Sequence, residues 1–207
     1  VTLFTSGLTG LPNNHRDFDV PFERIIHADC PHYYRYALKS ETEYDFTNRL
    51  VSNLRAIIEK EGPDTIAAFI AEPVMGAGGV IPPPESYFTK IQPVLKEYNI
   101  LFIADEVICG FGRTGNMFGS ETYDLKPDII TVAKGLSSGY LPISGLMLTE
   151  EIFDLLMYQS KKIGVFGHGF TYGGHPVSCA VALEALKIYE ETNLISHVQE
   201  ISPIFET

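Results

Sequence analysis

The chain has 207 residues, 45% of them hydrophobic, with a formal net charge of -11 and a pI of about 4.9. That length and apolar content suffice to bury a core and indicate one domain or a large piece of one, while an acidic balance with no basic cluster argues against nucleic acid or an anionic membrane as partner. No apolar run reaches the roughly 18–20 residues of a spanning helix, and the widely spaced Cys30, Cys109 and Cys179 fit a reducing compartment rather than a disulfide framework.

Residues 1–40 read as loop, punctuated by Gly7, Gly10, Pro12, Pro21 and Pro31, with Tyr33, Tyr34 and Tyr36 clustered late. Between Glu43 and Glu61, Phe46, Leu50, Leu54, Ile57 and Ile58 recur at spacings of three and four, which lays one apolar face along a helix, and Gly62-Pro63 stops it. TIAAFIAE, 65–72, is an apolar strand. A helix is predicted over 84–98, with Pro84 in its first turn, where proline is tolerated, and Pro93 inside it, where proline should kink or split it. ILFIADEV (100–107), DIITVAK (128–134) and ISGLMLT (143–149) read as further strands, and 150–160 and 176–191 as helices. Near-continuous apolar strands alternating with helices predict an α/β fold, its sheet mostly parallel with helices on both faces. The chain opens on Val1 with no targeting pattern and closes on ISPIFET with no clear helix stop, so both ends are expected to be cuts in a longer protein.

Three of these strands end on a charge: Glu72, Asp105-Glu106 and Lys134. A single charge behind a strand is usually the start of a solvated loop. Three in series, each directly behind a very apolar run, favour a shared site, because burying an unmatched charge costs several kcal/mol and ligands of open α/β sheets bind at the carboxyl ends of the strands. Lys134 arrives where the chain is expected to be dry; a desolvated lysine has a lowered pKa and serves as an amine nucleophile toward carbonyls. The cofactor that pairs such a lysine with an aspartate is pyridoxal phosphate, whose ring nitrogen the aspartate keeps protonated. Lys134 and Asp105 lie 29 positions apart, the length of one strand–helix–strand step. ILFIADE also has the form of a Walker B strand. That reading needs a G-x-x-x-x-G-K-[ST] loop, and FGRTGNMFG and VAKGLSSG both fail to match one.

IAEPVMGAGGVIPPP, ILFIADEVICGFGRTG, DIITVAKGLSSGYLPI and HGFTYGGHPVSCAVALE resemble, in order and over nearly the whole chain, the signatures of class III (omega-type) pyridoxal-phosphate aminotransferases. The stretch from HADCPHYYRYALKS to IAEPVMG is most similar to the plant branch that takes 4-aminobutyrate as donor and pyruvate or glyoxylate as acceptor. The resemblance implies fold type I, a homodimer with shared active sites, small amine and oxo-acid substrates, and a mitochondrial location. It makes Lys134 the Schiff-base lysine, Asp105 the partner of the pyridine nitrogen, Val107 a residue against the ring face, and Glu72 an acid beside cofactor and substrate. Thr171 would reach the cofactor phosphate of the neighbouring subunit. A vanillin-type class III aminotransferase, an aminomutase and a non-catalytic truncated product are the alternatives.

On the residues alone, Val107 reads as core. Thr171 reads as either a turn residue or, before Tyr172-Gly173-Gly174 and a helix start, an oxyanion ligand. His168 and His175 lack a third partner for a metal, and Arg113 reads as structural. The family's phosphate-cradling loop, ring-stacking aromatic, carboxylate-binding arginine and small C-terminal domain find no counterpart here. Residues 1–207 are therefore expected to be the central part of the large cofactor-binding domain, inactive or very weak alone.

Overall fold

A computed structural model describes residues 2–205. Two short helices, α1 (Leu3–Leu8) and α2 (Tyr33–Tyr36), interrupt the N-terminal stretch otherwise read as loop. Helix α3 (Glu43–Glu61) has the predicted bounds. Thr42 caps it, its hydroxyl accepting from the Asp45 amide at 3.1 Å, acidic Glu43 and Asp45 occupy the first turn, and Gly62 ends it at φ +92°. Strand β1 (Ala68–Ala71) follows, then α4 (Tyr87–Glu97) and β2 (Leu101–Asp105).

Helix α4 differs from expectation twice. It starts after Ser86, leaving Pro84 outside, and it runs unbroken through Pro93. Proline removes one amide donor, but Tyr87, Phe88, Ile91, Val94 and Leu95 are all buried along this helix, and that packing holds it together. A short helix α5 (Gly119–Thr122) precedes β3 (Ile129–Val132) and β4 (Gly145–Leu148); α6 (Glu150–Ile163), α7 (Pro176–Glu191) and α8 (Leu194–Phe205) complete the chain. The run after residue 191 is thus a separate helix, set off by a left-handed Asn193 at φ +51°.

The sheet has the order β1-β2-β3-β4. β1, β2 and β3 are parallel neighbours; β4 pairs antiparallel to β3. Helices lie between β1 and β2 and between β2 and β3, whereas only a 3-10 turn separates β3 from β4, so no crossover helix returns the chain to a parallel start. Phe69, Ala71 and Phe102 meet Phe46, Leu50, Leu54 and Ile58 of α3 and the buried face of α4 in one core. Each such side chain contributes on the order of 1.5–3 kcal/mol on burial. The register places Ile70, Ile103, Asp105, Thr131 and Leu146 on the other face, which is partly open: Ile70 is 36% and Leu146 62% exposed. The class is the expected α/β fold, with the carboxyl ends of three parallel strands along one edge.

Candidate active site at the carboxyl edge of the sheet

Glu72 directly follows β1, Asp105 is the last residue of β2, and Lys134 stands two positions beyond β3. Because Ala71 pairs with Ala104 and Asp105 with Thr131, these three groups come to one stretch of the sheet edge. The charges of Asp105 and Lys134 both act on Glu72. Burial pushes the Glu72 carboxyl above its ordinary range, the Gly76 amide donating to it at 2.9 Å holds it back, Asp105 pushes it further up and Lys134 draws it down.

Asp105 is fixed on one oxygen. Its Oδ1 accepts from the Thr131 hydroxyl at 3.2 Å and from the Val107 amide at 3.0 Å, and among the described residues Oδ2 has no hydrogen-bond partner. The carboxyl group is aimed, with one oxygen left for a ligand. Val107 is half-buried and contributes this amide. Thr131 was not singled out from the sequence; the signal was a lone hydroxyl inside the apolar run IITV, but its partner depends on strand register.

Lys134 is not dry. The strand ends at Val132, Ala133 is extended, and Lys134 opens a 3-10 turn (Lys134–Ser137) with its side chain exposed at the sheet edge. It takes a left-handed backbone, φ +39°. The Tyr189 hydroxyl of α7, another residue not anticipated, donates to the Gly135 carbonyl in that turn.

Glu106 points the other way from Asp105 and is fully buried. Its carboxyl group accepts from the Gly119 amide at 2.9 Å and from the Ser120 amide and hydroxyl, both at 2.6 Å. It ties the loop after β2 back under the site. Alternation along a strand signals this split: of two consecutive acids one faces the site and the other the interior. Cys109 lies in the same loop, buried, its thiol pushed up to about 11 by burial, which makes it an inert core thiol.

Thr171 is not brought to this edge within one chain. It sits in a turn ahead of the α7 N-terminus, in a segment, 164–175, that is exposed throughout. His168 and His175 pack edge-on against Phe170 and Tyr172, and no cluster of metal ligands occurs among the described residues.

The family described as aminotransferase class-III matches residues 8–207. The chain belongs to that family. It is 61% identical over 205 residues to gamma aminobutyrate transaminase 1, mitochondrial, of Solanum lycopersicum, covering 99% of this chain and 40% of that protein. Gamma aminobutyrate transaminase 3, chloroplastic, of the same plant is 60% identical over 205 residues, 99% of this chain and 39% of its own length. Among solved structures, a transaminase with L-ala superimposes with a TM-score of 0.93 at 58% identity, over 94% of this chain and 46% of that one. An omega-transaminase from Pseudomonas jessenii in complex with PMP gives 0.94 at 54% identity, over 95% and 44%. The class III chain described here thus spans about 40% of the length of the curated relatives it matches, and its α/β sheet is that of the transaminases.

Proposed function

We propose that the whole protein is a pyridoxal-phosphate-dependent transaminase that moves an amino group from 4-aminobutyrate, or a related omega-amine, to pyruvate or glyoxylate. The observation that carries this reading is the meeting of Glu72, Asp105 and Lys134 at one sheet edge in a class III chain. The names of the plant relatives support the donor. The solved transaminase with L-ala supports pyruvate, because alanine is pyruvate with its oxo group replaced by an amine. PMP is the aminated form of pyridoxal phosphate, and an exposed amine beside a carboxyl group with one open oxygen fits that cofactor.

When bound, pyridoxal phosphate supplies an electron sink for the substrate's amine-bearing carbon. Lys134 Nζ would be the amine that holds the cofactor carbonyl and, when free, would serve the substrate carbon as general base and then general acid. Asp105 would hold the cofactor's ring nitrogen through Oδ2, its carboxyl group fixed by the Thr131 hydroxyl and the Val107 amide. Val107 would lie beside the cofactor ring. Glu72 would border cofactor and substrate, with its carboxyl raised above the ordinary range by burial. Thr171 would reach the cofactor phosphate of a neighbouring subunit in a homodimer with shared sites; an exposed segment with apolar Val165, Phe166, Phe170 and Tyr172 open to contact supports this. These residues form the central part of the large cofactor-binding domain, and the compartment is the mitochondrion, by the first of the two tomato relatives.

The test is Lys134→Ala in the whole protein, with amino transfer from 4-aminobutyrate to pyruvate followed. Turnover is expected to vanish; near-normal turnover sinks the reading. An acceptor panel on the unmutated protein separates a vanillin-type enzyme by its preferred substrate and an aminomutase by its needing no acceptor.

A further inference from the structure

The turn that bears Lys134 is strained at both ends. Lys134 opens it at φ +39° and Ser138 closes it at φ +51°. A left-handed backbone is costly for a residue other than glycine, so such a turn persists only where its surroundings over-determine it. Two aromatic side chains do so. A Cβ on Gly135 would lie 3.0 Å from the Cβ of Phe111, so Phe111 presses directly on that glycine. Tyr189, 54 residues further on in α7, places its hydroxyl 2.6 Å from the Gly135 carbonyl oxygen and 2.6 Å from the Ser138 hydroxyl. Its ring lies tilted against that of Phe111, centroids 6.4 Å apart.

The donors follow from chemistry. A phenol has one hydrogen and a carbonyl only accepts, so Tyr189 donates to Gly135 and Ser138 donates to Tyr189. The Gly135 carbonyl also accepts from the Ser138 amide at 3.1 Å, so it does not depend on the phenol for satisfaction. The bond from Tyr189 is an added tether from α7 to the peptide next to Lys134.

We propose that Tyr189, with Ser138 as its second anchor, is a positioning residue that fixes the direction in which Lys134 presents its amine. This rests on the reading of Lys134 as the amine that takes the cofactor carbonyl, and the experiment separates the two. The whole protein is incubated with pyridoxal phosphate, reduced with borohydride at timed intervals and digested, and the label on Lys134 is compared with that on Lys126, a surface lysine 79% exposed. Tyr189→Phe keeps the ring and removes only the hydroxyl. It is expected to slow labelling of Lys134 about fivefold, the worth of one hydrogen bond, while labelling of Lys126 stays unchanged and the Tm falls by no more than that one bond accounts for. Ser138→Ala is expected to slow it about twofold, because the Ser138 hydroxyl only anchors Tyr189 while the bond from Tyr189 to Gly135 remains. Loss of packing alone would move Tm and leave the ratio of Lys134 to Lys126 label where it was.

A wild-type labelling rate at Lys134 in Tyr189→Phe overturns the positioning role and leaves the amine reading intact. If Tyr189→Phe lowers the Tm by more than that one bond accounts for, Ser138→Ala decides by the same ratio, and an unchanged rate there overturns the role. An unmutated protein whose label is spread over surface lysines, with none concentrated on Lys134, overturns both readings.

Discussion

Helices α3 and α6 are both amphipathic, and they meet opposite fates. In α3, Phe46, Leu50, Leu54 and Ile58 are buried against α4 and the sheet. In α6, Phe153, Leu155, Leu156, Met157 and Tyr158 all stay exposed, and none of its residues is buried. The half that holds Glu72 and Asp105 therefore closes its own core, whereas the half that holds Thr171 presents apolar surface with nothing over it among the described residues. An apolar face this continuous marks a contact surface. Glu72 and Asp105 are placed by self-contained folding, and Thr171 belongs to the part that needs cover from elsewhere.

The sharpest way to break that contrast is a matched pair of truncations. Phe46→Ala, at a position with 0% exposure, is expected to lower stability by about 3–5 kcal/mol. Leu155→Ala, 61% exposed, is expected to change it by no more than about 0.5 kcal/mol. Urea midpoints of the chain measure both. Equal losses would mean that α6 is packed as firmly as α3 and that the contrast is false. In the whole protein the Leu155 change is expected to act instead on self-association, read by sedimentation across a dilution series.

A smaller effect sharpens the same point at the site. Glu106 and Glu121 each accept backbone amides at the start of α5, Glu106 from Gly119 and Ser120, and Glu121 from Phe118 at 2.8 Å. The first set of bonds is buried and the second exposed. Glu106→Ala strands two buried amides and a hydroxyl and is expected to cost about 3 kcal/mol. Glu121→Ala exposes its amide to water and is expected to cost under about 1 kcal/mol. Similar midpoints for the two variants would show that the start of α5 does not depend on its buried acid.

The sequence made the periodic elements legible because apolar spacing is a local signal. The bounds of α3 and α7 and the three strand-end charges were read from spacing and composition alone. What stayed hidden depends on distant parts of the chain. Thr131 meets Asp105 only because β2 and β3 pair in one particular register, and Tyr189 reaches Gly135 only because α7 docks on that turn. The exposure of Lys134 was misjudged for a related reason: DIITVAK reads as one apolar strand, but the pairing with β4 stops at Val132 and the chain leaves the sheet before the lysine. The antiparallel β4 was within reach of the sequence, since the 12 residues between β3 and β4 contain no crossover helix. Pro93 does not break α4 because five buried side chains of the helix itself, Tyr87, Phe88, Ile91, Val94 and Leu95, outweigh its local propensity.

The smallest expected effect concerns pH. Burial, the Asp105 charge and the counter-pull of Gly76 and Lys134 leave the Glu72 carboxyl titrating above the ordinary 4.5. A folded pKa above the unfolded one means that the folded state holds the proton more tightly. The associated stability is fully present below the unfolded value and is lost as pH rises through the folded value. Stability should therefore slope downward across that window, and Glu72→Gln, which cannot titrate, should flatten the slope. Asp105→Asn removes the repelling charge and should shift the window down; Lys134→Ala removes the attracting one and should shift it up. Urea midpoints taken at steps of about half a pH unit from about pH 4 to 8 resolve these shifts. A slope unchanged by all three substitutions would mean that the carboxyl of Glu72 does not feel Asp105 and Lys134, and the three groups would then share an edge without sharing a site.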